Sequence, residues 1–229
     1  MKKVILFLLA VILTGIGFYG CKKGPNDPTI SFKSRKSRVT GDWKLTSGSE
    51  TYANGSTIET RNDDGDNQTV SDGSSSYIDV HTLSYTMDKK GTYKTQEHRE
   101  HKVVDKDIPL PTYTTTTTTT TDDSRTGTWN FTGGIGEYKN KSQLALTELT
   151  YATAQSVRII VKAPSPTGTV LDTTTNTSNT QSYTGNPGGA EIWDLDELRS
   201  KKMVAKIKYT SIDAAGTTTS RDVTWTFEQ

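Results

Sequence analysis

The sequence predicts an all-β protein with mostly antiparallel strands, and three observations lead to this prediction. From Gly41 onward the chain is rich in Thr, Ser, Gly and Tyr, and apolar residues recur at every second position. Helical spacing of apolar residues is almost absent. Turn residues separate the alternating segments, as in "DKKG" and "SIDAAGT". We therefore expect about eight or nine strands, each with one buried face and one solvent-exposed face.

The first twenty residues have the pattern of a signal peptide, and the chain's only cysteine follows at once. After a basic start, the apolar run 4–18 is too short and too abruptly ended for a membrane helix. Gly20 and Cys21 resemble the end of a bacterial lipoprotein lipobox, although Phe18 and Tyr19 depart from its usual first two residues. The resemblance implies that lipid on Cys21 anchors the mature chain to a membrane. An ordinary secreted protein and an uncleaved anchor helix are the alternatives.

Residues 21–40 are predicted to be the lipidated cysteine and a flexible basic tether, and residues 41–229 the folded domain. The tether contains two prolines and a cluster of Lys and Arg, which suits either contact with anionic head groups or a solvated linker. Neither Lys22 nor Lys23 is the Asp that marks inner-membrane retention in some bacteria, which favours the outer membrane. An acidic run of the kind associated with surface export in Bacteroidetes is missing after Cys21, which favours the periplasmic face.

The composition excludes several classes of function. The whole chain has a formal charge of +1, and loss of Lys2 and Lys3 with the signal segment changes this to −1. A near-neutral chain without a basic stripe is not expected to bind nucleic acid. With Cys21 lipidated, the mature domain has no thiol for a disulfide, a metal site or a nucleophile. We expect no cofactor, and nothing in the sequence indicates the oligomeric state.

A hairpin is predicted in "TLSYTMDKKGTYK". Apolar residues alternate with polar ones from Leu83 onward, and Gly91 is expected in the left-handed position of the turn. Upstream, Ile78 and Val80 have the opposite parity to Leu83. If apolar residues face inward throughout, the strand needs a bulge near His81.

The last two predicted strands form a second hairpin. In "TTSRDVTWTFEQ", alternate positions from Thr219 to Phe227 share one face, and "KKMVAKIKYT" has the matching pattern before it. Further strands are predicted at 42–47, 127–132, 142–151, 156–163 and, more briefly, 191–195.

Three long polar inserts, 49–76, 105–125 and 164–190, are predicted to be mobile loops. The eight threonines Thr114–Thr121 have high β-propensity but no apolar face, so they fit either an edge strand or a disordered loop. Asp172-Thr173-Thr174 resembles the O-glycosylation acceptor pattern of Bacteroides-type bacteria.

"GDWKLTS" at 41–47 resembles the Gly-x-Trp that opens the first strand of lipocalins, on Gly41 and Trp43. With the lipid cysteine and the hairpin, the layout is similar to lipocalin-like lipoproteins of Bacteroidetes. The resemblance implies an antiparallel meander that closes as a barrel of about eight strands, and Arg221 as a late Arg packing over Trp43 by a cation–π contact of about 1 kcal/mol. The middle Thr-Asp-Tyr motif of lipocalins is absent, so a β-sandwich is the alternative.

The resemblance also implies room for a small hydrophobic ligand, because an eight-stranded barrel can hold one. The predicted ligand-lining aromatics, which core filling would explain equally, are Trp129, Phe131, Trp225 and Phe227. We therefore expect a lipid-anchored envelope protein that binds or carries a hydrophobic molecule without catalysis. The alternative is a structural or interaction module that contacts a protein or glycan through its Thr-rich loops.

Other candidate chemistry is weaker. His98 and His101 are three residues apart, which on a strand places them on opposite faces, so no metal site is expected. The oxygen-rich segment 62–68 lacks the spacing of an EF-hand and fits a solvated turn. Carboxylates such as Asp194 and Asp196 have no specific pattern. Because no acid–base constellation is apparent, the chain is not expected to be an enzyme.

Overall fold

The computed structural model describes residues 26–27, 33–106, 113–132, 143–163, 168–183, 189–212 and 216–229. Within these residues lie one short helix and eleven strands. They are α1 (Arg35–Val39), β1 (Gly41–Asn54), β2 (Thr57–Asp63), β3 (Asn67–Ser71), β4 (Ser76–Met87), β5 (Thr92–Lys106), β6 (Thr114–Thr132), β7 (Gln143–Lys162), β8 (Thr169–Ser182), β9 (Gly189–Leu198), β10 (Lys202–Ile212) and β11 (Thr218–Glu228). In this part of the chain no helix has the length and hydrophobicity that a membrane crossing requires.

Ten of the strands close into an antiparallel barrel, and β8 lies outside it against β7. The predicted all-β class and barrel are confirmed, and the sandwich alternative is wrong. The predicted number of about eight strands holds only at one end, where Gly41–Lys44 pairs directly with Ser84–Met87 of β4. Farther along the barrel, β2 and β3 separate β1 from β4 and raise the number to ten. We call the eight-stranded end, where α1 lies, the closed end, and the other the open end.

The long strand β7 joins two parts of the sheet. Its segment 143–148 pairs with β9, and its segment 150–162 pairs with β8, with Leu149 at an irregularity between them. The ladder between β5 and β6 continues to Lys106 and Thr114. The strands β5 to β8 therefore extend as a four-stranded sheet beyond the last pair of β4 with β5. The separately predicted strands 142–151 and 156–163 are parts of this one strand.

The three predicted loops are largely strands, so that prediction is wrong. Segment 49–76 contains the whole of β2 and β3, segment 105–125 contains the start of β6, and segment 164–190 contains β8. The tract Thr114–Thr121 lies in the middle of the extended sheet, between β5 and β7. Because threonine is β-branched and fits a half-exposed pleated surface, its strand propensity prevails even without an apolar face.

The predicted bulge near His81 is also absent, since the described ladders of β4 run without a register shift from Ser76 to Met87. His81 and Asp79 share the inward parity of Leu83 and are buried, whereas Ile78 is 67% exposed on the outside. The assumption that apolar residues face inward fails here because the barrel interior is polar at this level.

The hydrophobic core fills the closed end. Trp193 stacks on Phe227 with their ring centroids 5.7 Å apart and their planes 5° from parallel. The indole nitrogen of Trp43 donates a hydrogen bond of 2.7 Å to the carbonyl of Val39, which ties α1 to the core. The largest fully buried side chains are Trp43, Trp129, Trp193, Phe227, Leu45, Met87, Leu144, Leu195, Leu198 and Met203. Burial of such side chains is the main source of stability.

The described part of the predicted flexible tether is packed against the barrel, so the domain begins upstream of Gly41. The carboxylate of Asp27 has no exposed surface and pairs with Arg35 and, at 3.6 Å, with Arg38. It also accepts the backbone N–H of Leu198 at 2.8 Å. These basic residues are buried because a carboxylate neutralises them, which the sequence pattern alone does not reveal.

Candidate functional site

A cavity of about 360 Å³ lies between the apolar core and the open end. Its walls are mostly polar. Strand alternation explains why, because on β5 the inward parity of Tyr93 continues through Thr95 to Glu97 and Arg99. The charged groups that line the cavity are Glu50, Arg61, His81, Glu97, Arg99, Asp123, Arg125, Glu191 and Arg221, and the aromatic ones are Tyr52, Tyr85, Tyr209 and Trp225.

Arg221 organises one side of the cavity. It donates hydrogen bonds to both carboxylate oxygens of Glu50, at 2.8 and 3.5 Å, and to Glu191 at 3.3 Å. Its guanidinium carbon lies 5.6 Å from the ring centroid of Trp225. Burial alone would lower the pKa of Arg221, but the hydrogen bond and charge of Glu50 outweigh it and the pKa is raised. Arg221 is therefore a firmly held cation.

His81 lies between two carboxylates on another side. Its Nδ1 contacts Asp63, and its Nε2 is 3.2 Å from an oxygen of Glu97. Burial opposes the charged imidazole, but hydrogen bonds with the two carboxylates raise the pKa of His81 to about 9. Burial likewise opposes the charge of Glu97, but His81 and Arg99 lower its pKa to about 2. Near pH 7 His81 is thus a cation and unsuited to act as a general base.

The remaining charges are also largely paired, so the cavity has little net charge. Arg61 pairs with Glu59 at 2.6 Å, and Arg99 with Glu97 at 2.7 Å. With protonated His81, five cations face four carboxylates in the lining, and Asp63 stands directly behind His81. A single ionic ligand would therefore find little uncompensated charge to attract it.

Two tyrosines supply hydroxyl donors beside a smaller cavity of about 210 Å³. Tyr85 and Tyr93 are each 7% exposed, and no described residue makes a hydrogen bond with either hydroxyl. Burial raises the pKa of Tyr85 well above its usual value and that of Tyr93 to about 12, so both stay protonated. Arg125 reaches the same space, with Nε 3.6 Å from Glu148. These groups can donate hydrogen bonds to a ligand that is rich in acceptors.

The wall next to the cavity is partly open. The ladder between β10 and β9 ends at the pair Lys206 and Asp194, while the earlier part of β9 pairs with β7. Among the described residues, the part of β10 beyond Lys206 has a ladder only with β11. Glu191 and Tyr209, which flank this gap, both line the cavity.

Of the four predicted ligand-lining aromatics, only Trp225 lines the cavity of about 360 Å³. Trp129 and Phe227 are buried in the core of the closed end, at 2% and 0% exposure. Phe131 packs against that core with the guanidinium of Arg35 5.6 Å from its ring centroid. Three of the four therefore fill the barrel rather than line the cavity.

The predicted Gly-x-Trp lies at the closed end. Trp43 is 1% exposed, and Gly41 has a φ of 140°, which favours glycine. The predicted contact of Arg221 with Trp43 is wrong, because Trp43 is paired with Tyr85 and Arg221 with Tyr52. Nine residues of β1 separate the two levels, which corresponds to about 30 Å of strand. The alternation of β11 directs Arg221 into the barrel as expected, but Arg221 lies at the level of the cavity and not at the level of Trp43.

The other candidate residues make contacts within the protein. His98 pairs with Asp122 and His101 with Asp79, each at 2.6 Å, and the two histidines lie on opposite faces of β5. Asp64 accepts two backbone N–H groups in the turn between β2 and β3. No group of three or more His, Cys, Asp or Glu side chains in the described residues could hold a metal ion. Cys21 lies outside the described residues.

The sequence interpretation missed the charged lining, including Glu50, Arg61, Glu97, Arg125 and Glu191. A signal was present, because these polar residues continue the inward parity of strands whose other inward residues are apolar. No family model, curated protein or solved structure matches this chain. The function is therefore argued from the barrel and its cavity.

Proposed function

We propose that this protein is a lipid-anchored component of the outer membrane, held at the periplasmic face through Cys21, whose lipocalin-like barrel binds a small molecule without catalysis. The signal pattern and the Gly20-Cys21 pair support the anchor. The cavity supports the binding, because about 360 Å³ falls within the range of ligand pockets.

The observation that carries the proposal is the network of Arg221 with Glu50 and Glu191 over Trp225. A hydrophobic ligand would desolvate these charges without replacing their contacts with water, which is costly. A neutral or zwitterionic molecule rich in hydroxyl or amide groups would hydrogen-bond to them. The expected ligand is therefore polar, in place of the hydrophobic one suggested by the family resemblance.

Native mass spectrometry of the protein purified from its own host tests the binding. We expect a polar small-molecule adduct on the wild-type protein. Thr95→Tyr places a bulky side chain in both cavities and should abolish the adduct. The matched control is Lys94→Tyr, because Lys94 is the neighbouring residue on the exposed face of β5. An apolar adduct, no wild-type adduct, or equal retention by both variants would contradict the proposal.

Membrane fractionation tests the anchor. Cys21→Ser should release the protein from the membrane fraction, because several acyl chains are required for stable attachment. Unchanged fractionation of this variant would show that the protein is not held by lipid at Cys21.

A second candidate function is an interaction module, and the edge strand β8 favours it. Among the described residues β8 pairs only with β7, and Asp172 is the one charged side chain described on it, held by Arg158 at 2.7 and 3.0 Å. Such an unprotected edge can accept an extended segment of another chain. A photo-crosslinker at Thr175 would give a discrete protein adduct in the host if this function holds, and Thr173→Lys would weaken that adduct.

A further inference from the structure

We propose that the closed end of the barrel rests on the membrane through a cluster of basic side chains that contacts anionic lipid head groups, with the cavity opening away from the bilayer. The inference relies on the proposed anchor at Cys21. It concerns the orientation of the folded domain, which the anchor alone does not determine.

The basic side chains come from α1 and from two turns at the same end of the barrel. Met87 at the end of β4 pairs with Gly41, and the turn between β9 and β10 follows the pair Leu198 and Met203. We define the basic cap as the exposed residues Lys36, Lys89, Lys90, Arg199 and Lys201.

The carboxylates beside the cap are engaged by other groups. Glu197 is 6% exposed and pairs with Arg199 and with Lys202. Asp88 accepts the backbone N–H of Thr92 at 2.8 Å. Within the described residues, Lys89, Lys90 and Lys201 have no carboxylate within ion-pair distance.

The exposed carboxylates of Asp42 and Glu228 belong to the outer faces of strands β1 and β11, next to this end. Asp42 accepts a hydrogen bond of 2.8 Å from the hydroxyl of Thr86. The three turn lysines therefore present unpaired positive charge beyond the ends of the strands.

The length of chain before the fold decides which end can reach the lipid. The backbone N–H of Asn26 donates a hydrogen bond of 3.1 Å to the carbonyl of Asp196, near the end of β9 at the closed end. Asn26 follows Cys21 by five residues, which span at most about 18 Å. β10 runs from Lys202 to Ile212, about 33 Å toward the open end. Lipid on Cys21 can therefore hold the closed end at the surface but not the open end.

Charge complementarity favours the same arrangement. The sequence adds Lys22 and Lys23 directly after Cys21. Lysines close to an anionic bilayer each strengthen binding roughly fivefold, and the effect falls off within a Debye length of about 8–10 Å. Only side chains beyond the strand ends, such as those of the basic cap, come that close.

Depth-dependent quenching tests the orientation with the lipidated protein in vesicles of phosphatidylglycerol and phosphatidylcholine. Because lipidation consumes the thiol of Cys21, a single cysteine introduced as Lys90→Cys or as Lys102→Cys can carry a fluorophore. Lys102 lies on β5 toward the open end. Lipids with a nitroxide head group should quench the probe at position 90 strongly and the probe at position 102 little.

Two charge-reversal variants, one in the basic cap and one elsewhere, test the contribution of the cap. Lys89→Glu, Lys90→Glu and Lys201→Glu together should reduce quenching at a probe replacing Ser200 to the level seen in pure phosphatidylcholine, as should 0.5 M salt. The control reverses Lys94, Lys102 and Lys162, which are exposed elsewhere on the barrel and its extension, and should leave quenching unchanged.

The outcomes separate this inference from the proposed function. Equal quenching at the two positions, stronger quenching at position 102, or an effect of the control as large as that of the cap reversal would overturn the orientation while the anchor stands. If mass spectrometry finds no lipid on Cys21, the anchor and the orientation both fall.

Discussion

The buried His81 should make the stability of the fold depend on pH between 7 and 9.5. A residue whose pKa is raised on folding contributes stability that is fully present below its unfolded pKa and is lost as the pH rises through its folded pKa. For His81 those values are 6.5 and about 9. The imidazolium between Asp63 and Glu97 then contributes about 2–3 kcal/mol at pH 7 and almost nothing at pH 9.5.

The assay is denaturant unfolding of the wild type and of His81→Gln at several pH values over this range. The wild type should lose about 2 kcal/mol more than the variant between pH 7 and 9.5. Taking the difference between the two proteins cancels the contribution of tyrosines that ionise in the unfolded state, because both proteins contain the same tyrosines. Glu97 remains ionised throughout, because its pKa is about 2. Parallel pH profiles of the two proteins would refute the reasoning.

His98→Gln serves as the matched control, because the side chain of His98 is 40% exposed in its pair with Asp122. An exposed ion pair contributes less than about 1 kcal/mol, so this variant should keep a pH profile close to that of the wild type.

Two further substitutions test the packing of the closed end and of the barrel wall. Asp27→Asn leaves the buried Arg35 and Arg38 without their carboxylate and should lower the free energy of unfolding by about 3–5 kcal/mol in urea. Gly127→Ala puts a Cβ 2.1 Å from the carbonyl oxygen of Thr147 and should cost about 1–3 kcal/mol. Gly189→Ala, where a Cβ meets no atom of the described residues within 4 Å, should change stability by less than about 0.5 kcal/mol.

Strands are predicted correctly from the sequence where the alternation of apolar and polar residues matches the burial of their side chains. The C-terminal hairpin is the clearest example, since Ala205 is opposite Trp225 and Met203 is opposite Phe227, with all four side chains buried as their alternation indicates. In Thr114–Thr121 there is no alternation of apolar and polar residues to indicate which face is buried. Its side chains are alike on both faces, so its place inside a sheet is decided by the neighbouring strands β5 and β7 and not by its own pattern.

The cavity could not be predicted because two rules conflict in the same strands. Alternation places Glu97 and Arg99 inside the barrel, whereas their charge predicts exposure to solvent. The conflict is resolved by partners on other strands, such as His81 for Glu97, and these pairings are visible only in three dimensions. The expected position of Arg221 at the level of Trp43 came from the family resemblance, whereas the strand register pairs Arg221 with Tyr52 at the level of the cavity.

The division of the interior favours the proposed binding function, because the charged half contributes little to stability. The closed end shows that this chain can fill a barrel with apolar side chains, as Trp43, Trp193 and Phe227 do. Burying ion pairs such as Arg221 and Glu50 returns little net stability, because desolvation offsets most of their attraction. A barrel that only needed to be stable would have continued the apolar packing to the open end. The paired charges around an open space of about 360 Å³ instead provide directional hydrogen-bonding groups with little net charge, which suits the polar neutral ligand that we propose.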